Sequence, residues 1–226
     1  MKKFLSIIFF LSFLLSLAIA EAFPIPKDNK AIFDIIRKNK VIGTYEINFS
    51  EKDDFLIVET NIDIEVKIVF VVAYKFFHQS KEIWKDGKFL KVEAYTDFED
   101  EREYFIDGEI KEDFFMASGM DGDLKLDKNL LPSNYWNIDV MQQTKIFDTQ
   151  KGIQRELKVK KLGIEKIEIN NKKINCKKFT LNASSNTKDL GPFPEYTLWY
   201  SDNNELMKFK FINWKDKKLV EIVRKN

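Results

Sequence analysis

The sequence predicts an all-β fold: mainly an antiparallel meander, curved into a half-barrel or a flattened barrel, with one or two short helices. Three observations carry this prediction. Apolar and polar residues alternate along several segments, turn-forming residues separate those segments, and aromatic residues make up 14% of the 226-residue chain. Alternation with a period of two places one face of a strand on a core and the other face in water.

The clearest alternation runs through residues 56–66, where apolar residues or threonine occupy every second position and mostly acidic or amide side chains lie between them. Residues 90–96 and 207–211 repeat the pattern with lysines among the outward positions. Helical spacing would bring these charges into the apolar stripe, so the strand interpretation is preferred.

Five short polar segments predict hairpin turns. Asp86-Gly87 and Asp107-Gly108 are two-residue connections, and Asn170-Asn171, Asp202-Asn203-Asn204 and Asp216-Lys217 are similar. Glycine, aspartate and asparagine tolerate the positive φ angles that tight hairpins need. Strands joined in this way form a meander.

The apolar segment at residues 68–74 lacks alternation. Both of its faces should therefore be covered, which leaves two interpretations: a central strand beneath another layer, or a short helix or lid that plugs the sheet. Seven residues are too few to cross a bilayer. The other helix expected is a short one at residues 138–143.

The first 22 residues have the layout of a secretory signal peptide. Two lysines precede an apolar run, and Ala18-Ile19-Ala20 and Ala20-Glu21-Ala22 offer two cleavage sites. The alternative is an uncleaved anchor, because residues 4–20 reach the lower limit of a bilayer span. The short apolar core favours cleavage. We therefore expect an exported, periplasmic protein: a signal peptide at 1–22, a single β-rich domain at 23–226, and no transmembrane segment after cleavage.

Charge and cysteine content narrow the partners. The chain has 37 Lys plus Arg against 36 Asp plus Glu, so no strong field favours nucleic acid, and none is expected as a partner. Cys176 is the one cysteine, which leaves an exported chain without an intramolecular disulfide. Alternation places it on the same face as Ile174, as a buried and inert side chain.

Few residues offer catalytic chemistry. His78 is the one histidine, so a His-dependent triad either uses it or is absent, and we expect a hydrogen-bonded histidine of the core or rim. The acidic run at 97–103 predicts a solvated loop. Asp121-Gly122-Asp123 predicts a turn, because the remaining ligands of a calcium loop are missing. The sequence thus favours a non-enzymatic protein with no cofactor and no metal.

Residues 130–137 are the segment most suited to a special role. They combine a proline, capping side chains and adjacent bulky aromatics, as expected for either a functional loop or a plug at one end of the sheet, and the plug is favoured. If the aromatic residues line a cavity rather than fill a core, the candidate ligand-binding residues are Trp136, Tyr135, His78, Trp84 and Trp199.

Several motifs follow one another along the mature chain. They are Gly43-Thr44-Tyr45, residues 62–64 leading to 74–78, residues 82–87, Leu131-Pro132-Ser133-Asn134-Tyr135-Trp136-Asn137, Asp148-Thr149-Gln150 with Gly152, Leu162-Gly163, and Trp199-Tyr200-Ser201-Asp202. In these motifs the chain resembles an uncharacterised exported bacterial family, the domain of unknown function 6134, and more distantly other exported wrapped-sheet families of unknown function. The resemblance implies a periplasmic β-rich fold like the half-barrels of lipoprotein carriers. It supplies no catalytic residues.

Three functions remain open at this point. The leading hypothesis is a non-enzymatic exported protein that binds a hydrophobic small molecule or lipid in its curved sheet, because the aromatic content is high and catalytic motifs are lacking. The first alternative is a structural or assembly factor that contacts another cell-envelope protein. The second is a hydrolase-like enzyme that uses His78.

Overall fold

A computed structural model describes residues 23–68, 71–98, 102–189 and 191–225; the expected signal peptide lies outside this part. Its regular elements are fifteen strands and one 3₁₀ helix. The strands are β1 Lys30–Arg37, β2 Lys40–Lys52, β3 Phe55–Ile68, β4 Val71–Lys85, β5 Lys88–Phe98, β6 Glu103–Lys111, β7 Phe114–Gly119, β8 Gly122–Asp127, β9 Leu131–Pro132, β10 Lys145–Asp148, β11 Ile153–Ile169, β12 Lys172–Ala183, β13 Tyr196–Ser201, β14 Leu206–Ile212 and β15 Leu219–Arg224, and the 3₁₀ helix is Ile138–Gln142.

All fifteen strands belong to one curved sheet in the order β8-β7-β6-β5-β4-β3-β2-β1-β15-β14-β13-β12-β11-β10-β9. Neighbouring strands are antiparallel, with the exception of β9 and β10, which run parallel. The first eight strands form a meander, and β15 returns to pair with β1, so the second half of the chain extends the sheet from the other side of β1. The prediction of an all-β, curved antiparallel sheet is confirmed. Within the described residues, no helix combines the length and apolar character needed to cross a membrane.

The sheet is wound so that β10 lies inside it. Ile146 and Phe147 are consecutive residues of β10, and both side chains are fully buried. Consecutive side chains of a strand point to opposite faces, so β10 is covered by protein on both sides. The Phe147 ring packs edge-on against Phe115 of β7, with ring centroids 5.1 Å apart. One edge region of the sheet is thereby enclosed by the other half.

Aromatic rings fill one part of the core. The indole of Trp84 lies 5.5 Å from that of Trp136, between ring centroids, and Phe23 lies 5.3 Å from both. Two further rings extend the group: Phe49 lies 5.3 Å from Trp136, and Phe89 lies 5.2 Å from Trp84, between ring centroids. These tilted and edge-to-face pairs are the arrangements that aromatic quadrupoles favour. The group forms a solid aromatic core in this region.

Four of the five predicted hairpin turns are confirmed, at residues 86–87, 170–171, 202–204 and 216–217. The turn predicted at Asp107-Gly108 is wrong, because β6 continues through both residues and Asp107 pairs with Ser118. A Cβ on Gly108 would lie 2.4 Å from Cζ of Phe115, so this glycine makes room for a core ring. The chain reverses later, where Glu112 has a φ of 56°.

The apolar segment at 68–74 belongs to a hairpin. β3 ends at Ile68, which pairs with Val71 at the start of β4, and residues 69–70 lie outside the described part. The helical interpretation of this segment is therefore wrong for its described residues. The helix expected at 138–143 is confirmed as the 3₁₀ helix. The turn expected at 121–123 is confirmed in part: the chain turns between β7 and β8 at residues 120–121, and Gly122 and Asp123 already belong to β8. The acidic run predicted as a loop at 97–103 begins and ends in strands, because Asp97 of β5 pairs with Glu103 of β6, and residues 99–101 between them lie outside the described part.

Candidate functional site

A cavity of about 210 Å³ lies within the curved sheet. The inner faces of β1 to β5 supply one part of its wall, and β13 to β15 supply another. Phe193 and several residues between 133 and 150, a stretch that includes the enclosed strand β10, complete it. Most of the lining is aliphatic or aromatic: Ile35, Tyr45, Ile62, Ile64, Tyr74, Phe76, Phe98, Tyr135, Phe193, Tyr196, Phe209, Phe211, Val220 and Ile222.

Polar side chains contribute to the lining from two directions. Apart from the tyrosines, strands β3 and β4 supply three of them, and residues 133–150 supply the others. Because strand side chains alternate, every second residue of β4 points inward, which brings a histidine and a serine into the core. The polar groups are Thr60, His78, Ser80, Ser133, Asn134, Asp148, Thr149 and Gln150, in addition to the four tyrosines.

His78 is held in place by hydrogen bonding. The residue is 2% exposed, and its Nδ1 lies 2.8 Å from the Thr96 hydroxyl. Burial lowers the pKa of the imidazole to about 4, although the charge of Asp148 and the Tyr95 backbone act in the opposite direction. The ring is therefore neutral near neutral pH. As predicted, His78 is a hydrogen-bonded histidine of the interior.

Glu82 is a functional candidate that the sequence reasoning missed. It lies on β4 and is fully buried, and its Oε2 accepts hydrogen bonds from Trp84 Nε1 at 3.0 Å and from Asn134 Nδ2 at 2.5 Å. Burial raises the pKa of this carboxyl to about 7, although hydrogen bonds from Asn134 and Trp84 act to lower it. The sequence signal that could have pointed to Glu82 is the two-residue period of a strand, which places residues 78, 80 and 82 on the same, inner face.

A buried ion network fixes one wall of the site. Arg155 Nε donates to Asp148 Oδ2 at 2.6 Å, and Arg155 Nη1 donates to Asp189 Oδ2 at 2.9 Å. Lys151 also donates to Asp189, at 3.0 Å. Burial opposes the charge of the guanidinium, but Asp148 and Asp189 outweigh it and hold the pKa of Arg155 above its usual value. Burial likewise opposes the Asp189 charge, yet its hydrogen bonds lower the pKa to about 2.

The five predicted ligand-binding residues lie in three places. His78 and Tyr135 line the cavity, and the Tyr135 ring packs 5.3 Å from that of Tyr196. Trp84 and Trp136 lie in the solid aromatic core and do not line the cavity. Trp199 also lies outside the cavity lining: its indole N–H donates to Glu165, and the ammonium groups of three lysines lie over its ring, those of Lys178, Lys208 and Lys210.

Residues 130–137 act as an interior segment. Asn134, Trp136 and Asn137 are buried, and the carbonyl of Tyr135 accepts a hydrogen bond from the Tyr200 hydroxyl at 2.8 Å. The plug interpretation of this segment agrees with its burial. Asn134 gives it a second property, because that side chain contacts Glu82 and also borders the cavity.

The serine and the histidine of the cavity wall have different hydrogen-bond partners. His78 is engaged with Thr96, and Ser133 accepts a hydrogen bond from the Thr149 N–H at 3.1 Å. Nucleophilic catalysis by serine needs the hydroxyl within reach of a base. The hydrogen bonds of the described residues do not join Ser133 to His78. What the arrangement offers is an apolar space with polar groups along part of its wall.

Comparison with known proteins identifies the family. A sequence profile of the domain of unknown function DUF6134 matches residues 33–224. The chain belongs to this family. The predicted resemblance is thereby confirmed, and none of the curated proteins matches the sequence of this DUF6134 member.

A solved structure shares the fold of this DUF6134 chain. It is the crystal structure of a beta-barrel-like protein of the domain of unknown function DUF1849 from Brucella abortus. The two are 11% identical, with a TM-score of 0.62, and the match covers 87% of this chain and 95% of the other. At this identity the likeness shows the fold alone, and function has to be argued from the site.

Proposed function

We propose that this DUF6134 protein is an exported periplasmic binding protein that takes a hydrophobic small molecule into the cavity of its curved sheet. The single observation that carries the proposal is an interior space of about 210 Å³ with a mostly apolar lining and a few polar groups. Small-molecule sites typically have this composition. The signal-peptide layout of residues 1–22 supports export, and residues 23–226 are proposed to act as one domain.

The size of the cavity limits what it holds. An apolar protein cavity of about 150 Å³ accepts benzene, so about 210 Å³ accepts a molecule of roughly eight to ten non-hydrogen atoms. A diacyl lipid is far larger and would not fit inside. We therefore propose a small aromatic or aliphatic molecule, or the end of one chain of a lipid, as the occupant.

Binding can be tested on protein purified from the periplasm. Native mass spectrometry should detect a bound organic molecule. After that molecule is extracted, a fluorescent apolar probe should bind the protein, and adding the extracted molecule back should displace the probe. The variant Ile64→Trp narrows the cavity, because Ile64 is part of its lining. Its matched control is Ile57→Trp on the same strand, since Ile57 is half-buried and does not line the cavity.

We expect the probe to bind the wild-type protein and Ile57→Trp with equal affinity. It should bind Ile64→Trp at least about tenfold more weakly, because the larger side chain occupies probe space, and a steric cost of about 1.4 kcal/mol corresponds to that factor. Equal binding by both variants would place the probe elsewhere and count against the proposal. Repeated recovery of empty protein that binds no apolar probe would overturn it.

The envelope-assembly alternative rests on a different feature. Phe105 of β6 is 72% exposed, and its ring packs 5.0 Å from that of Tyr95, between centroids. Phe77 extends this aromatic row across β4 at 6.2 Å from Tyr95. Exposed aromatic groups are common at protein interfaces. A photo-crosslinker at position 105 should then capture an envelope protein that a crosslinker at the equally exposed Ile164 does not.

A further inference from the structure

We infer that the cavity selects uncharged molecules that carry a hydroxyl group, in preference to the matching carboxylate, ammonium ion or hydrocarbon. This inference rests on the proposed binding function and adds the chemical class of the ligand. It comes from two polar atoms that the fold buries beside the cavity without satisfying them, and from the charges of the lining.

The two atoms are Oγ1 of Thr60 and Oδ1 of Asn134. Both are buried without a hydrogen-bond partner in the described part of the chain, and both residues line the cavity. Thr60 is 7% exposed and Asn134 is 6% exposed. Buried polar atoms in native proteins nearly always have a partner. Two unpartnered polar atoms beside the same cavity therefore indicate that a bound molecule supplies their hydrogen-bond partner.

The chemistry of these atoms defines the missing partner. The Asn134 Nδ2 group donates to Glu82 at 2.5 Å, and in this orientation Oδ1 is left as an acceptor without a donor among the described residues. The Thr60 hydroxyl can donate and accept. A ligand hydroxyl also does both, so it can donate to Asn134 and exchange a hydrogen bond with Thr60. A hydrocarbon of the same size would leave both atoms unsatisfied.

The charges around the cavity disfavour an ionised ligand. No lysine or arginine is among the described residues that line it. A bound carboxylate would lose its hydration without a cation to replace it, and it would lie in the same cavity as Asp148. An ammonium ion would have to use the Asp148 carboxylate, which already accepts from Arg155 at 2.6 Å and from the Gln150 N–H at 2.9 Å. A neutral head group avoids both costs.

Four ligands of nearly equal size test the inference: phenylethanol, phenylacetate, phenethylamine and ethylbenzene, each of about eight to ten non-hydrogen atoms. Isothermal titration calorimetry of the mature, ligand-stripped protein near neutral pH would give their affinities. We expect phenylethanol to bind at least about tenfold more tightly than each of the other three, since one buried hydrogen bond is worth about that factor.

The role of Thr60 can be separated from overall stability. Thr60→Val keeps the shape and removes the hydroxyl, so it should reduce the preference for phenylethanol over ethylbenzene by about threefold to tenfold. Thr60→Ser keeps a hydroxyl and should retain the preference. Thr44→Val makes the same change at an exposed position of β2, outside the cavity lining, and should leave all four affinities unchanged.

The outcomes distinguish this inference from the function on which it rests. Equal affinity for phenylethanol and ethylbenzene, or tighter binding of phenylacetate or phenethylamine, would overturn the hydroxyl selectivity and leave the binding function intact. Failure of all four ligands to bind would overturn the binding function itself. Retention of the preference in Thr60→Val would remove Thr60 from the argument and contradict the inference as stated.

Discussion

Gly119 and Gly152 bring two backbones into direct contact. A Cβ on Gly119 would lie 2.5 Å from the Cα of Gly152, which is closer than real side-chain contacts allow. Beside them, the Met120 N–H donates to the Lys151 carbonyl at 2.7 Å. Gly119 ends β7 and Gly152 precedes β11, so this contact joins the region near one edge of the wound sheet to the region near the other.

Gly119→Ala should therefore loosen the winding of the sheet. The added methyl group meets backbone atoms rather than a flexible side chain, so the two segments have to move apart. We expect the free energy of unfolding to fall by about 1–3 kcal/mol, the usual cost of overpacking. Urea denaturation measures this change. Ser118→Ala, one residue earlier in β7, is the control, and an equal effect in both variants would contradict the backbone-contact explanation.

The buried guanidinium of Arg155 should be important for stability. It bridges Asp148 and Asp189, and its side chain is 3% exposed. Arg155→Met keeps much of the volume but leaves two carboxylates without their main partner. We expect a loss of about 3–5 kcal/mol in the free energy of unfolding, as for other buried pairs that lose one member.

The control for Arg155→Met is Lys188→Met. Lys188 pairs with Asp121 at 2.8 Å, but its side chain is 50% exposed, so solvent screens the pair. Its removal should change the free energy of unfolding by less than about 1 kcal/mol. Similar losses for the two variants would mean that burial of the Arg155 network adds little.

The strands and most turns could be predicted from sequence because their signals are local. Alternation over residues 56–66 reports which side chains share a face, and Asp86-Gly87 adopts the positive φ angles that its composition favours. Asp107-Gly108 shows the limit of this reasoning. Its glycine meets a tertiary requirement, space for the Phe115 ring, and a dipeptide cannot distinguish that from a turn.

The winding of the sheet and the polar part of the cavity could not be predicted in the same way. Alternation says that a residue faces inward but not what covers it, so the burial of β10 on both faces was not visible. Glu82 illustrates the consequence. Its position on the inner face follows from the period, but its partner Asn134 lies 52 residues away in the chain. Long-range partners of this kind come from the fold.

Cys176 should be unreactive in the folded protein. The thiol is buried, and burial raises its pKa to about 11, so the reactive thiolate is scarce near neutral pH. We expect a thiol-reactive dye to label native protein at least about a hundredfold more slowly than urea-unfolded protein. Ser50→Cys, which adds a thiol at an exposed position of β2, is the positive control. Labelling of both thiols at similar rates in the native state would contradict this expectation.

Glu82 and His78 should give opposite pH dependences of stability. The pKa of Glu82 is raised from 4.5 to about 7 on folding. Its favourable contribution to the free energy of unfolding is therefore fully present below pH 4.5 and is lost as the pH rises towards 7. The pKa of His78 is lowered from 6.5 to about 4, so its contribution is present above 6.5 and is lost as the pH falls towards 4. Each difference corresponds to roughly 3 kcal/mol, and between 4.5 and 6.5 the two slopes oppose each other.

Single substitutions should reveal each slope. In Glu82→Gln only the histidine titrates, so the free energy of unfolding should fall on acidification from pH 6.5 to pH 4. Above pH 7 this variant should be more stable than the wild-type protein by up to roughly 3 kcal/mol, because it carries no buried carboxylate at position 82. In His78→Gln the carboxyl acts alone, so the free energy should fall as the pH rises from 4.5 to 7. Urea denaturation across this range measures both profiles. If both variants keep the wild-type profile, neither buried group titrates differently on folding, and the electrostatic description of the interior is wrong.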